Sequence, residues 1–144
     1  MMAGPAIAAG LEVMDQSGRI LARVAAQDWC VVWNHSVAGF EVRDCYVLRD
    51  GQMLLQRSHQ PDFAAGLGHI PGRGVARSDG AGGYWIEDIN EAVPGNCYRL
   101  RVGSETVNHR IVTDDRDISL SEIAAGESVI LRRGTEGKGR KFEC

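Results

Sequence analysis

The chain has 144 residues, 44% of them hydrophobic and 24% charged, with a formal net charge of −3; that suits one ordinary domain with a buried core and leaves too little for two. A mildly acidic chain lacks the basic stripe of a nucleic-acid-binding protein, so no nucleic-acid partner is expected. No apolar run reaches the roughly 20 residues of a membrane-spanning helix, and four cysteines without C-x-x-C spacing argue against a structural zinc site.

Residues 1–10 are small and apolar but carry no basic flank. They are too short for a complete signal peptide and read as the remnant of an export signal. The location expected from the chain as written is cytoplasmic, or periplasmic or membrane-associated if an export segment precedes it. Residues 11–133 read as a β domain. The segment 134–144, with Gly134, Gly137, Gly139, Lys138, Arg140 and Lys141, reads as a flexible basic tail that Arg132 and Arg133 introduce.

Within the β domain, short runs rich in β-branched and aromatic residues alternate with turn dipeptides. Ser17-Gly18 separates strand candidates at 11–14 and 19–24. Residues 30–33 form a compact apolar strand, and 40–48 form the next. Asp50-Gly51 then turns the chain into 53–56, the clearest hairpin signal in the sequence. The stretch 59–74, with six glycine and proline residues, reads as a long loop. Asp79-Gly80 marks another turn before a strand at 84–89. Residues 98–102 alternate apolar and arginine, the period of a half-buried strand, and 106–112 continues with Val107, His109 and Ile111 on one face. One helical turn is expected at 120–125, with Ser121 as N-cap and Gly126 ending it. A last strand covers 128–131. Strand candidates at this spacing predict an all-β, single-domain antiparallel sandwich or barrel with at most a short helix.

Cys30 and Cys45 lie symmetrically about 37–38. If the flanking strands pair, these two cysteines face each other, which permits a disulfide. The preferred reading is a pair of buried thiols acting as small hydrophobes.

The residues with chemistry to offer begin with Trp33-Asn34-His35-Ser36-Val37. A His-Ser pair can fix a turn through the backbone. Asp44, on the following strand, and His109, on a later one, are the partners that would turn His35 into a metal or acid–base site. By itself, His109 reads as a satisfied core histidine. Ser36 as a nucleophile is disfavoured, because no G-x-S-x-G elbow surrounds it. The loop glycines Gly66 and Gly68, with Arg73, could cradle an anion, although no Walker or dinucleotide pattern follows.

In this order the segments resemble a bacterial family called domain of unknown function eighteen-fifty. The likeness runs from Leu11-Glu12-Val13 and Gly18-Arg19-Ile20-Leu21 through Trp33-x-His35-Ser36-Val37, Asp44-x-Tyr46 and Gly66-x-Gly68. It continues through Gly83-Tyr84-Trp85-Ile86, Leu100-Arg101-Val102 and His109 to Val129-Ile130-Leu131. Ala38 and Glu41 stand where the family usually has an acidic residue and a proline, and Asp44 stands for its usual Glu. The resemblance implies an extracytoplasmic accessory domain of a TRAP-type solute transporter of the TAXI class. Its partners would be the transporter's membrane subunit, its solute-binding protein or a small organic anion, and no cofactor is implied. On that expectation Trp33, His35, Ser36 and Asp44 form or brace the recognition surface, with Gly66, Gly68 and Arg73 beside it. The competing expectations are an enzyme using His35, Asp44 and His109, and a purely structural β domain.

Overall fold

The computed structural model describes residues 10–35, 40–60, 73–134 and 144. Its elements are β1 (Leu11–Met14), β2 (Ile20–Val24), β3 (Asp28–Asn34), β4 (Glu41–Arg49), β5 (Gln52–Gln60), β6 (Val75–Ser78), β7 (Tyr84–Glu87), β8 (Glu91–Ala92), β9 (Cys97–Arg101), β10 (Arg110–Val112), β11 (Asp117–Ser119), α1 (Leu120–Ala124) and β12 (Ser128–Arg133). Two antiparallel sheets result, and they do not close into a barrel. The first has the order β2-β1-β12-β9; the second runs β11-β10-β3-β4-β5-β7-β6, with β8 against β5. The all-β expectation is borne out in its sandwich form. Among the described residues no helix is long and apolar enough to cross a membrane.

Alternation along each strand builds the core. Leu11 and Val13 of β1 and Val129 and Leu131 of β12 are fully buried, while Glu12 and Ile130 between them lie on the opposite face of the sheet. On β3, Trp29 and Val31 face the same way, and both join this cluster with Met53, Val102, Ile111 and Leu120. An aromatic stack ties the sheets together. Trp29 of β3 lies 5.9 Å from Tyr46 of β4, and Tyr46 lies 4.8 Å from Tyr98 of β9 in the other sheet. Offset ring stacking adds to the area that these large side chains remove from water.

The turn between β4 and β5 follows its sequence signal. Arg49 pairs with Gln52, leaving Asp50 (φ 53°) and Gly51 (φ 77°) as a two-residue loop with positive φ at both positions, the turn that matches strand twist. Elsewhere the structure corrects the pattern. β5 runs on to Gln60, taking in His59, because β7 offers it a partner: Ser58, His59 and Gln60 pair with Ile86, Trp85 and Tyr84. β6 was unforeseen; it emerges from the expected loop as the edge strand beside β7. Residues 106–109 are not strand, because Asn108 adopts φ 52° and its N–H closes a turn onto the Ser104 carbonyl at 2.9 Å. The helix is capped by Ser119, whose side chain accepts from the Glu122 N–H, and not by Ser121. The last strand runs past its expected end at Leu131, and Arg132 and Arg133 complete β12. Arg132 grips the buried Glu12 from one side at 3.1 Å and Arg23 holds it from the other at 3.0 Å, which compensates a carboxylate that burial alone would penalise.

Candidate recognition surface

The sequence-predicted residues fall into three different surroundings. Ser36, Gly66 and Gly68 lie outside the described residues. His35 follows the last residue of β3. Its N–H donates to the Phe40 carbonyl at 2.7 Å, and its ring meets the Phe40 ring at 5.0 Å, so it closes the β3–β4 hairpin. Trp33 shares the inward face of β3 and lies 5.6 Å from the His109 ring. Asp44 pairs with Val31, four register positions along the strand from His35. At ~3.3 Å per residue that is about 13 Å, too far for a shared ligand. The structure therefore brings Trp33 to His109 but does not bring His35, Asp44 and His109 together. Among the described residues no group of three or more His, Cys, Asp or Glu side chains could hold a metal ion.

Asp44 is a half-buried carboxylate on the inward face. It accepts a hydrogen bond from the Ser58 hydroxyl at 2.7 Å. Burial raises its pKa above the usual carboxylate value, against the opposing pull of Ser58 and of the Arg73 charge. Arg73 itself is bonded to Glu91 at 3.1 Å. Asp44→Asn keeps an oxygen for Ser58 and removes the desolvated charge, so it is expected to leave stability at neutral pH unchanged or to raise it by up to about 1 kcal/mol. Asp44→Ala leaves the buried Ser58 hydroxyl without its acceptor and is expected to lower stability by about 1–2 kcal/mol, both variants being compared with the unmutated chain by urea titration.

His109 proves to be a bracket for the helix. Its Nδ1 accepts from the Gly103 N–H at 2.8 Å, its N–H donates to the Ser121 hydroxyl at 2.9 Å, and that hydroxyl donates to the Gly103 carbonyl at 2.8 Å. Its carbonyl receives the Leu120 N–H at 2.8 Å. This is the satisfied core histidine of the sequence reading, and it explains why Ser121 is engaged elsewhere than at the helix cap.

Burial lowers the His109 pKa from its ordinary 6.5. The unfolded chain then binds a proton at a pH where the folded one does not, so stability is expected to decline as pH drops below that ordinary value. Asp79, whose pKa is depressed chiefly by its bond to His59, contributes a further loss as pH falls through its lowered value. Asp44, with its raised pKa, opposes both in the carboxylate range. Urea midpoints measured between about pH 7.5 and 5 test the histidine contribution: His109→Gln, whose amide oxygen can still receive the Gly103 N–H, should flatten that first decline.

The disulfides overturn the preferred reading of two thiols. Cys30 and Cys45 are directly opposed in the β3–β4 register and are bonded to each other. Cys97 and Cys144 form a second disulfide that the sequence reading did not anticipate.

The outward face of the second sheet carries the residues that the sequence reading missed. Arg43, His59, Trp85 and Arg77 line up across β4, β5, β7 and β6, since Arg43 pairs with His59, His59 with Trp85 and Trp85 with Arg77. The Arg57 guanidinium sits 4.3 Å above the Trp85 ring, a cation–π contact. His59 Nε2 lies 2.6 Å from Asp79 Oδ2, and Asp79 Oδ1 accepts from the Ala81 and Gly83 N–H groups at 2.6 and 3.0 Å. Gly83 is required there, because a Cβ would stand 2.6 Å from Asp79 Oδ2 and 2.9 Å from the Gln60 carbonyl. Beside this row a cleft of about 290 Å³ opens over the Cys30–Cys45 disulfide, with Asp28, Arg43, Arg57 and Asp114 on its walls. The available signal in the sequence was Trp85, an outward aromatic between Tyr84 and Ile86, both buried.

Neither a curated protein nor a solved structure gives a match to this chain. One family model does, over residues 30–120, the span from the cross-strand cysteine through the outward row to the start of the helix. That is well over half of the chain, and the chain belongs to the family described as "Domain of unknown function (DUF1850)".

Proposed function

We propose that this chain is a non-enzymatic recognition module that works outside the cytoplasm beside a TRAP-type uptake system of the TAXI class. There it binds the transporter's membrane subunit, its solute-binding protein or a small organic anion. The observation that carries the extracytoplasmic part is the pair of disulfides, Cys30–Cys45 and Cys97–Cys144, since such bonds persist in oxidising compartments and are rare in the cytosol of mesophiles. The transporter association rests on the family resemblance. The outward row of arginines around Trp85 is the surface suited to an anionic partner. His35 and His109 act in this reading as hairpin and helix braces.

Cross-linking of the tagged, full chain in a bacterium that carries a TAXI-class transporter tests the proposal. Recovery of the membrane subunit or the solute-binding protein is the expected result. Recovery of neither, with all four cysteines open to thiol labelling in the intact protein, would overturn it.

A further inference from the structure

The cleft over the Cys30–Cys45 disulfide separates opposite charges. Asp28 and Asp114 belong to one end: Asp28 opens β3, and Asp114 lies two residues beyond Val112, which pairs with Cys30. Arg43 and Arg57 belong to the other. Arg57 is directly opposite Cys45 on β5, and Arg43 is opposite Val32 on β4. Strand spacings of ~4.8 Å and rises of ~3.3 Å per residue put about 12 Å between the backbones of Asp28 and Arg57, with the disulfide as the floor between them. Side chains reaching inward from both ends leave room for a small molecule and for little more, as the volume of about 290 Å³ also indicates.

The pairing of these groups is uneven. Glu41 engages Arg43 at 2.9 Å, but Arg57 meets Glu87 only at 3.8 Å, outside hydrogen-bond distance. Its guanidinium is held in place instead by Trp85, with the fork left to bond elsewhere. Asp28 and Asp114 line the cleft, and neither carboxylate has a hydrogen bond or ion pair to a described residue. A wholly anionic guest would meet those two carboxylates, and a wholly cationic one would meet the two guanidinium groups. From this arrangement we infer that the cleft takes a small zwitterion of the amino-acid type. Its carboxylate would lie on Arg57 and Arg43, the planar fork matching the planar carboxylate. Its ammonium group would lie between Asp28 and Asp114. Val112 and the disulfide sulfurs offer the short apolar wall on which the guest's carbon skeleton rests.

This inference rests on the recognition reading and changes its small-ligand class from a simple organic anion to a zwitterion whose carboxylate is the anionic part. Three probes of different charge decide it: L-alanine as zwitterion, succinate as dianion and 1,4-diaminobutane as dication, each titrated into the full, oxidised chain at low salt with amide chemical shifts as readout. Saturable shifts at Cys30, Arg57 and Thr113 with L-alanine are expected, at least about tenfold tighter than with either other probe. The Asp28→Asn/Asp114→Asn variant and Arg57→Gln should each weaken alanine binding about tenfold or more, while Arg19→Gln, in the turn between β1 and β2, should not. Equal binding of succinate or the diamine overturns the zwitterion class, and no saturable shift with any probe overturns the site. Cross-linking by the unmutated chain separates the two levels: if transporter components are captured although none of the three probes binds that chain, the recognition module stands and the cleft assignment falls.

Discussion

Trp29→Ala is expected to cost about 4 kcal/mol, the largest effect of any single replacement considered for this chain. The indole is 2% exposed and packs in the cluster that both sheets share. It is also the first ring of the stack that passes through Tyr46 to Tyr98, so its removal opens a cavity at the junction of the sheets and loosens the neighbouring aromatic pair. Burial drives the pKa values of both tyrosines upward, so these phenols stay neutral and the stack carries no charge near neutral pH. Chemical denaturation, with an unchanged dependence on denaturant concentration, measures the loss. Trp85→Ala is the matched control: that ring is on the outward face and gives up its contacts with Arg57 and His59, worth about 1 kcal/mol. If the two replacements cost the same, the sheet faces have been assigned the wrong way round.

Removing the Cys30–Cys45 disulfide is expected to cost about 3 kcal/mol, which is the chain-entropy value for a closed loop of this size; the two cysteines are 15 residues apart. The double replacement Cys30→Ala/Cys45→Ala isolates the effect, because small apolar side chains suit a site where Cys45 is 4% exposed. The denaturation midpoint should fall to the same degree in the wild type after selective reduction of this bond. Agreement between the two experiments assigns the loss to the cross-link rather than to repacking. A stability change within about 0.5 kcal/mol of zero would mean that the unfolded chain gains little freedom when the bond is cut.

How much of this was legible beforehand follows from what each signal depends on. Local signals carried. Asp50-Gly51 demands positive φ at two adjacent positions, and that demand specifies a tight hairpin whatever the rest of the chain does. The alternation in residues 98–101 marks one wet and one dry face before any partner is known. The opposition of Cys30 and Cys45 followed from the β3–β4 hairpin centred on 37–38, although the bond between them did not, since pairing geometry and redox surroundings lie outside local pattern.

Non-local signals did not carry. β5 reaches His59 and Gln60 only because β7 lies alongside. β6 is strand only because β7 has a free edge to offer it. Thr106 to His109 failed as strand because a left-handed Asn108 and the bonds among His109, Gly103 and Ser121 claimed their backbone. The functional candidates divide the same way. His35, Asp44 and His109 are conspicuous residue types, yet strand register separates two of them by about 13 Å.

The sequence alone therefore determined the β class, the principal turns and the inward stripe of each long strand, because these depend on backbone preferences and on the period-2 alternation of side chains. Only the tertiary structure decided which outward residues meet. Asp28, Arg43, Arg57, Trp85 and Asp114 come from five separated segments and become neighbours through the order and register of strands in the second sheet. That register is set by the summed burial of the opposite face, and no outward residue encodes it by itself.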